Sequence, residues 1–492
     1  MYAFLVGLAA CVLAVWVGVG VAQGELFIAT LSALGCAWTV LAWTRGPLAE
    51  AWLLGFLIFG YLIGNRGFAQ FTPSPGLPLF LSELVLVVAG ALMVLRGALA
   101  RALPLRRDML NAVLLLWLGL GLARLLWDVR TFGFTALRDF ATVYYLLYFF
   151  IAQALVRHLP SRQVLTGSLA FTFGLLPFTA LLAGIFPDFF RTNLTVHGVP
   201  LIFYKDDLLA TYLLAGFIYL VPKQRLNLVA DRWRWLIALT ALLVGLAQLS
   251  RAAMVGLAVA LGALALAGRW QPTRVVLLAG ILGVTGVAAY STLENRDISQ
   301  TKVYAIYEHL AAVVDFEGNR SYTNVESADS GANNRFRLVW WRTVWEETTA
   351  QAPIFGLGFG YDLARGFVAS YNPMMGDDFT VRSPHSIVFT TLGRMGFVGL
   401  GVFLLIVITL LSLGLRAAQA TRNGLLSDEA ITLHAVCWVV LVSACFGVVL
   451  EGPMGAIPFW IILALAHHVA QEEPAAEAEP AAAELPAEAA TG

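Results

Sequence analysis

Long apolar runs separated by short polar segments make up most of this sequence of 492 residues. A helix that crosses a bilayer needs about 20 predominantly apolar residues, with a range of roughly 17–25, and most of the runs have this length. The pattern therefore predicts an all-α, polytopic transmembrane helix bundle with about 12–14 spans. The predicted spans are 2–22, 26–43, 51–63, 79–95, 110–127, 135–156, 164–186, 206–222, 234–249, 252–268, 274–290, 386–415, 431–450 and 455–469.

One long polar segment interrupts the apolar runs and divides the chain into regions. Residues 1–290 are predicted to hold the N-terminal transmembrane helices, 291–385 a large loop with amphipathic helices, and 386–470 the C-terminal transmembrane helices. The tail 471–492 is rich in Ala, Glu and Pro, a composition typical of a disordered extension, here expected in the cytoplasm.

The composition excludes the soluble classes of protein. The sequence is 59% hydrophobic and 13% charged, with a formal net charge of +0, whereas soluble domains carry about 25% charged residues. This composition is typical of a polytopic protein embedded in the lipid bilayer, whereas the net charge alone says nothing about partners. No nucleic-acid partner is expected. The cysteines lie within apolar runs without CxxC or metal-ligand spacing, so we expect small buried side chains. They are Cys11, Cys36, Cys437 and Cys445.

The distribution of basic residues predicts the orientation of the spans. Cytoplasmic loops carry an excess of Lys and Arg, and a cytoplasmic N-terminus gives such an excess in every pair of loops. The loop 291–384 then faces outward. The inner loops would hold Arg45, Arg96, Arg101, Arg106, Arg107, Arg157, Arg162, Lys223, Arg225, Arg232, Arg234, Arg269, Arg274, Arg416 and Arg422. The outer short loops would hold Arg66, Arg130, Arg138, Arg191, Lys205 and Arg251.

The polar loop contains an amphipathic segment, Arg335–Ala350. Phe336, Trp340 and Val344 share one helical face, and such a helix is suited to the bilayer interface, where Trp is favoured. The glycine-rich sequence 353–360 must end this helix. A phosphate-cradling loop is the alternative interpretation of that sequence, but no Lys-Ser/Thr pair follows it, which favours a tight turn back to the membrane.

His385 stands at the end of the polar loop, where Ser383-Pro384-His385 resembles the start of a helix. Ser383 suits the N-cap, Pro384 the first helical position and His385 the first turn. The positive end of the helix dipole disfavours imidazolium there, so neutral His385 is a candidate general base. The alternative is a histidine that only forms hydrogen bonds at the interface.

Arg251 lies between two spans with almost no loop to separate them. A charge near membrane depth usually faces a cavity or a partner, and the alternative is an arginine that reaches lipid phosphates. Arg124 and Asp128, four residues apart, are expected to neutralise each other. Arginine suits bidentate phosphate recognition and the aromatic residues suit sugar rings. The outer cations are Arg138, Lys205, Arg251, Arg335 and Arg337, with His385 beside them.

Several motifs resemble those of the O-antigen ligase and O-antigen polymerase superfamily. The step Ser250-Arg251 is one, and a second is R-x-x-x-W…P-x-x-G-x-G, here Arg337…Trp341…Pro353 onward. The loop ends in His385-Ser386, followed by the sequence LG…GFVGL at 392–400. The stretch 198–210 stands where relatives have a G…PN-x-x-A sequence, and Lys205-Asp206-Asp207 departs from that pattern.

The resemblance implies a GT-C-like membrane glycosyltransferase of the bacterial inner membrane, with its active site facing the periplasm. It implies transfer, without metal or cofactor and with inversion, of an undecaprenyl-pyrophosphate-linked glycan to a glycan or glycolipid acceptor. Arg251 and Arg337 would bind the pyrophosphate, and His385 would take the proton of the acceptor hydroxyl. Arg335 would replace Arg337 if the alignment is shifted by one helical step. Further substrate-binding candidates are Arg138, Lys205, Arg335 and Trp341.

Two other classes of function compete with a glycosyltransferase. A flippase for lipid-linked oligosaccharides would also need many spans and intramembrane cations, but transporters tend to show internal repeats, and no clear repeat is present here. A membrane scaffold would not need His385. The absence of HExxH and GxSxG motifs argues against a metallohydrolase or serine hydrolase. The sequence leaves ligase and polymerase open, with a slight preference for polymerase from the number of spans.

Overall fold

The computed structural model describes residues 46–71, 80–99, 105–196, 198–221, 231–293, 325–371 and 381–471, with the isolated positions 297, 299, 301, 304, 307, 308 and 311. The predicted spans 2–22 and 26–43 lie outside these residues, as do Cys11 and Cys36 and all but the first residue of the tail 471–492.

Helices dominate the described residues. The first are α1 (Pro47–Phe59), which continues into a π-helical turn (Gly60–Gly64), α2 (Arg66–Ala69), α3 (Leu81–Leu99), α4 (Met109–Phe132), α5 (Phe134–Asp139), α6 (Ala141–Tyr144), α7 (Leu147–Leu155) and α8 (Leu159–Ile185). A second π-helical turn (Phe189–Asn193) leads to a two-stranded antiparallel hairpin of β1 (Thr195–Val196) and β2 (Val199–Pro200). Then follow α9 (Asp206–Leu220), α10 (Arg232–Ala247), α11 (Arg251–Leu266), α12 (Gln271–Leu293), α13 (Val325–Gln351), α14 (Arg365–Tyr371), α15 (Ile387–Arg422), α16 (Asp428–Cys445) and α17 (Pro453–Val469).

Every predicted span that falls on described residues coincides with an apolar helical segment. Within the described part of the chain, eight segments are long and apolar enough to cross a membrane. They are Pro47–Gly64, Leu81–Leu99, Met109–Phe132, Phe134–Leu155, Leu159–Ile185, Gln271–Thr292, Ile387–Arg422 and Asp428–Cys445. Two shorter apolar helices, Arg251–Leu266 and Pro453–Val469, lie among them. The all-α, polytopic membrane bundle is confirmed.

The bundle packs around α9, which is buried along nearly its whole length. It contacts α10, α11 and α16, and α11 in turn packs closely on α16. By contrast α12 exposes most of its apolar side chains, as expected of a helix that faces lipid tails. The N-terminal ends of α9 and α11 and the C-terminal end of α16 therefore meet at one end of the bundle core, where a cavity lies.

Helix α15 is broken at Gly396, which has φ 64° and ψ −161°. The break frees the N–H groups of the next two residues, and the turn that follows α13 supplies their acceptors. The carbonyls of Pro353 and Ile354 accept from Phe397 and Val398 at 2.9 and 3.1 Å. Backbone groups near a bilayer must find partners within the protein, so the turn completes the broken helix.

The turn also fits closely against the break. The carbonyl of Gly393, which loses its helical partner, accepts from the N–H of Leu357 at 2.7 Å. A Cβ atom on Gly356, whose φ is +73°, would lie 2.5 Å from the nitrogen of Gly396. Two glycines are therefore required where the turn and the helix meet.

Helix α13 differs from the expected interfacial helix. Its apolar face does not lie against lipid, because Trp340 and Val344 are completely buried. Trp340 stacks on Phe367 of α14 with ring centroids 4.9 Å apart and donates its indole N–H to the carbonyl of Leu363 at 2.7 Å. The apolar periodicity is correct, but a short second helix covers the face that the sequence assigned to the bilayer.

Candidate active site

A cavity of about 180 Å³ opens where α9, α11, α13 and α16 converge. Its walls are mainly polar, and they carry charges of both signs. The lining residues are Asp206, Asp207, Thr211, Gln248, Leu249, Ser250, Arg251, Ala252, Arg337, Ser443, Phe446, Gly447 and Val449. Arg251 and Arg337, far apart in the sequence, thus share one cavity.

Arg251 enters the cavity from the first position of α11. Ser250 is the N-cap of this helix, and its hydroxyl accepts from the N–H of Ala253 at 3.5 Å. Leu249, just before the cap, has a positive φ of 55°, which is an uncommon conformation for a bulky residue. The chain therefore turns sharply from α10 into α11 without an intervening loop. This turn places the guanidinium of Arg251 at the cavity wall.

Arg337 reaches the same cavity from α13. Its Nη1 donates to the carbonyl of Phe446 at 2.7 Å, which ties the loop helix to the end of α16. Burial lowers the pKa of Arg337, and the nearby Asp207 carboxylate opposes that shift. Arginine remains charged in proteins, so the cavity holds two fixed cations. Arg335 is exposed and does not line the cavity, so the geometry favours Arg337 as the loop arginine.

One face of α13 contacts both the cavity and helix α15. Arg337, Trp341 and Trp345 are spaced four residues apart and therefore share a helical face. Trp341 stacks on Phe389 of α15, with centroids 5.1 Å apart and an interplanar angle of 12°. Trp345 makes an edge contact with Phe397, beyond the break in α15. Trp341 is half-buried and is not among the residues that line the cavity, and its contact with substrate stays a prediction.

His385 lies beside α13, but the predicted helix start is wrong. Helix α15 begins at Ile387 with Ser386 as its N-cap, and His385 precedes the cap with a positive φ of 54°. The carbonyl of Pro384 is bound by the indole N–H of Trp341 at 2.7 Å. The imidazole ring lies 5.9 Å from the ring of Trp340. Contacts from α13, and not a helical turn of its own, therefore fix the position of His385.

The surroundings of His385 keep the imidazole neutral. Burial, then the positive charges of Arg337 and Lys205, lower the pKa of His385 from 6.5 to about 4, against the opposing effect of Asp207. The predicted direction is the same, but the cause is different, because His385 stands outside the helix whose dipole was expected to act. A neutral imidazole has a ring nitrogen that can accept a proton, and the two cations make it a weaker base than an ordinary histidine.

Lys205 belongs to the same charged group. Its Nζ lies 3.6 Å from Oδ2 of Asp207, and its backbone N–H donates to Oδ1 of Asn65 at 3.1 Å. Asn65 has a positive φ of 52°. Among the residues that the structure describes, Asn65, Leu249 and His385 are the non-glycine positions with positive φ, and each adjoins this site. Such clustering of strained backbone is a common property of functional sites.

Arg138 is not brought to the cavity. Its side chain is 61% exposed and lies 3.8 Å from Asp139. Asp139 itself is nearly buried, and its Oδ2 accepts from the N–H of Gly360 at 3.0 Å and lies 2.7 Å from Nη1 of Arg394. The neighbouring carboxylate, not Arg138, has the structural role in this part of the protein.

The glycine turn is not a phosphate loop. The N–H of Phe359 donates to Oδ2 of Asp128 at 2.6 Å, and that of Gly360 donates to Asp139. Asp128 also pairs with Arg124 at 3.0 Å, as expected, but it has this second partner as well. These amides already bind protein acceptors, so the turn is clamped by two carboxylates.

Sequence reasoning missed Glu451, which follows α16. Its Oε1 accepts from the hydroxyl of Thr390 at 2.9 Å. Burial raises the pKa of Glu451, while hydrogen bonds from Ser383 and Thr390 and the charge of Arg394 oppose the shift. The signal was a lone arginine within one run of membrane-spanning length and a lone carboxylate at the end of another, since such charges usually have partners.

The charged groups of this site do not form a metal-binding cluster. Over the described ranges, no group of three or more His, Cys, Asp or Glu side chains is arranged to hold a metal ion.

The comparison with protein families matches part of this chain. Residues 236–404 match the family described as O-antigen ligase. Over this segment, about a third of the sequence, the chain is similar to that family. The matched segment contains Arg251, Arg337 and His385. It supplies part of the cavity wall, and the ends of α9 and α16, outside the segment, supply the rest. The comparison with curated proteins finds no match. The protein is therefore a multi-pass membrane protein with a segment that is similar to the O-antigen ligase family.

Proposed function

We propose that this protein is a membrane glycosyltransferase that transfers a glycan from undecaprenyl pyrophosphate to a sugar hydroxyl of a second glycan or a glycolipid. The observation that carries the proposal is the cavity in which Arg251 and Arg337 meet, next to the neutral His385. The family comparison supports a lipid-linked glycan as the substrate.

The two arginines would bind the pyrophosphate of the donor. Guanidinium groups match phosphate oxygens bidentately, and both are held by the protein before substrate arrives. As the bond to the leaving group breaks, negative charge grows on the pyrophosphate, and fixed cations stabilise that charge at no reorganisation cost. The proposal assigns this neutralisation to Arg251 and Arg337 and needs no metal ion or cofactor.

His385 would act as the general base. The acceptor oxygen attacks the anomeric carbon opposite the pyrophosphate, and the new C–O bond forms as the old one breaks. The hydroxyl proton passes to the imidazole of His385, and undecaprenyl pyrophosphate leaves with the bonding electrons. Attack from the opposite side inverts the anomeric configuration.

The reaction is proposed to occur on the periplasmic side of the bacterial inner membrane. The excess of Lys and Arg in alternate loops supports this orientation. A lipid-linked donor in the membrane would then present its pyrophosphate at the level of the cavity.

The test compares His385→Ala, Arg251→Ala and Arg337→Ala with Arg335→Ala in the native host. Arg335 is the matched control because it lies on the same helix but outside the cavity. The three site variants should lose surface polysaccharide while the control keeps it. Lipid-linked single repeat units on the periplasmic leaflet would identify a polymerase, and full-length lipid-linked polymer would identify a ligase. Repeat units trapped on the cytoplasmic leaflet, or normal glycan in all variants, would contradict the proposal.

A further inference from the structure

An apolar patch lies beside the break in α15, away from the cavity. It is formed by Trp345 of α13, by Ile354 and Phe355 of the turn, and by Phe397 and Val398 of α15. Their side chains are exposed by 37–58%. We call this surface the Phe355 patch. Single exposed apolar residues are common, but a contiguous group of large ones usually marks an interaction surface.

The Phe355 patch is one continuous surface held by backbone hydrogen bonds. The carbonyl of Ile354 accepts from the N–H of Val398, and the rings of Trp345 and Phe397 are in edge contact at 5.5 Å. The two most exposed side chains, Ile354 and Phe355, are at the tip of this clamped turn. The backbone hydrogen bonds therefore fix a turn that presents large apolar side chains outward.

The position of the patch along α15 indicates what covers it. The stretch 397–415 carries no charged residue and is bounded by Arg394 and Arg416. At 1.5 Å per residue it spans about 28 Å, close to the ~30 Å of a bilayer's hydrocarbon core. Phe397 and Val398 therefore stand at the boundary of the hydrocarbon, with Ile354 and Phe355 beside them.

The patch is also continuous with a surface that faces lipid. Leu404, Leu405 and Ile408 are exposed farther along the same span, where the only apolar solvent is the lipid tails. By contrast Arg342 and Glu346 of α13 pair with each other at 2.7 Å and are exposed, as expected of a face in water. Helix α13 therefore has one edge toward lipid and one face toward solvent.

We propose that the Phe355 patch inserts into the bilayer leaflet on the cavity side and anchors the turn and α13 to the membrane. The occupant of the patch is the acyl chains and glycerol region of that leaflet. Trp345 is eight residues from Arg337, about 12 Å along the helix. Anchoring one end of α13 therefore sets the height of Arg337, and through Trp341 that of His385, above the hydrocarbon.

A depth measurement tests the anchor without any assay of transfer. Phe355→Cys and Glu346→Cys are prepared in a chain whose four native cysteines are replaced by alanine, and each is labelled with an environment-sensitive fluorophore. The proteins are reconstituted in phosphatidylethanolamine and phosphatidylglycerol vesicles. The label at 355 should be quenched by lipids with a spin label near the headgroup and shielded from aqueous iodide, and the label at 346 should show the reverse. Equal iodide quenching at both positions would overturn the proposal.

The consequence for transfer rests on the proposed function and is measured separately. The double variant Ile354→Asp/Phe355→Asp should lower glycan transfer several-fold, whereas Phe355→Trp should retain it, since Trp is favoured at the interface. If the label at 355 is in lipid and the acidic variant transfers normally, the Phe355 patch does insert into the bilayer, but its insertion does not set the height of the site. If the label is in water, the anchor itself is wrong, whatever the activity.

Discussion

The indole N–H of Trp341 donates to the carbonyl of Pro384 at 2.7 Å, one residue before His385. One helical turn earlier, Arg337 reaches the cavity and binds the carbonyl of Phe446. Helix α13 therefore presents the cation and positions the base. The long polar loop therefore supplies one part of the proposed site, and the ends of α9, α11 and α16 supply the other.

Replacing Trp341 with Phe should weaken catalysis without unfolding the protein. The variant keeps the stacking on Phe389 but loses the hydrogen bond to Pro384. A net hydrogen bond is worth about 0.5–1.5 kcal/mol, so we expect transfer to fall by about 2–10-fold. The measurement is the transfer rate at equal protein amount, with Trp233→Phe at an exposed position as the control. Transfer equal to that of the control would contradict this role.

Arg337→Ala should reduce transfer far more than Arg335→Ala. Loss of one preorganised group that stabilises developing charge typically costs about 100–1,000-fold in rate. Arg337→Lys should recover only part of the activity, because lysine cannot bind phosphate bidentately. Initial rates with a saturating donor provide the comparison. Equal rates for the two alanine variants would remove Arg337 from the site.

The pH dependence should report the low pKa of His385. The base must be neutral, and its pKa is about 4, so the rate should stay constant as pH falls to about 5 and then decline. An ordinary histidine would lose activity from about pH 6.5. Lys205→Met removes one of the charges that lower the pKa of His385, so the acid limb should move to higher pH. An unchanged pH profile in this variant would contradict the electrostatic account.

Asp139→Asn should destabilise the protein strongly. Arg394 is 4% exposed and lies 2.7 Å from this carboxylate, and a buried charge left without its partner costs about 3–5 kcal/mol. Glu346→Gln, which breaks the exposed pair with Arg342, should cost at most about 0.5 kcal/mol. Thermal unfolding of the purified variants in detergent is the measurement. Similar unfolding temperatures for both variants would show that Asp139 does not hold the turn.

Gly396→Ala tests the junction between the turn and α15. Gly396 needs a positive φ and contacts the backbone of Gly356, so alanine should cost about 2 kcal/mol or more. A Cβ added at Gly401, in the same helix, would meet open space, and Gly401→Ala should be neutral or slightly stabilising. The measurement is the thermal unfolding temperature of the two variants. An unfolding temperature for Gly396→Ala equal to that of Gly401→Ala would contradict the close fit.

The sequence predicts the helices well because hydropathy is a local property. Each described span follows an apolar run, and Arg251 and His385 are identifiable because a charge or a histidine at the end of a span is unusual. The conformation of His385 and the burial of Trp340 were not predictable, since both depend on contacts with residues distant in sequence. The role of Asp139 was not predictable for the same reason. In the sequence it only stands next to the candidate Arg138, whereas in the structure its carboxylate accepts from the N–H of Gly360 and fixes the turn.

The most direct test of the central claim, that Arg251, Arg337 and His385 form one active site, is a transfer assay with purified protein, labelled lipid-linked donor and acceptor glycan. His385→Ala should bind the donor with unchanged affinity while transfer falls by at least about 100-fold, and Arg251→Ala should bind the donor weakly. Transfer by His385→Ala at the wild-type rate would contradict the account.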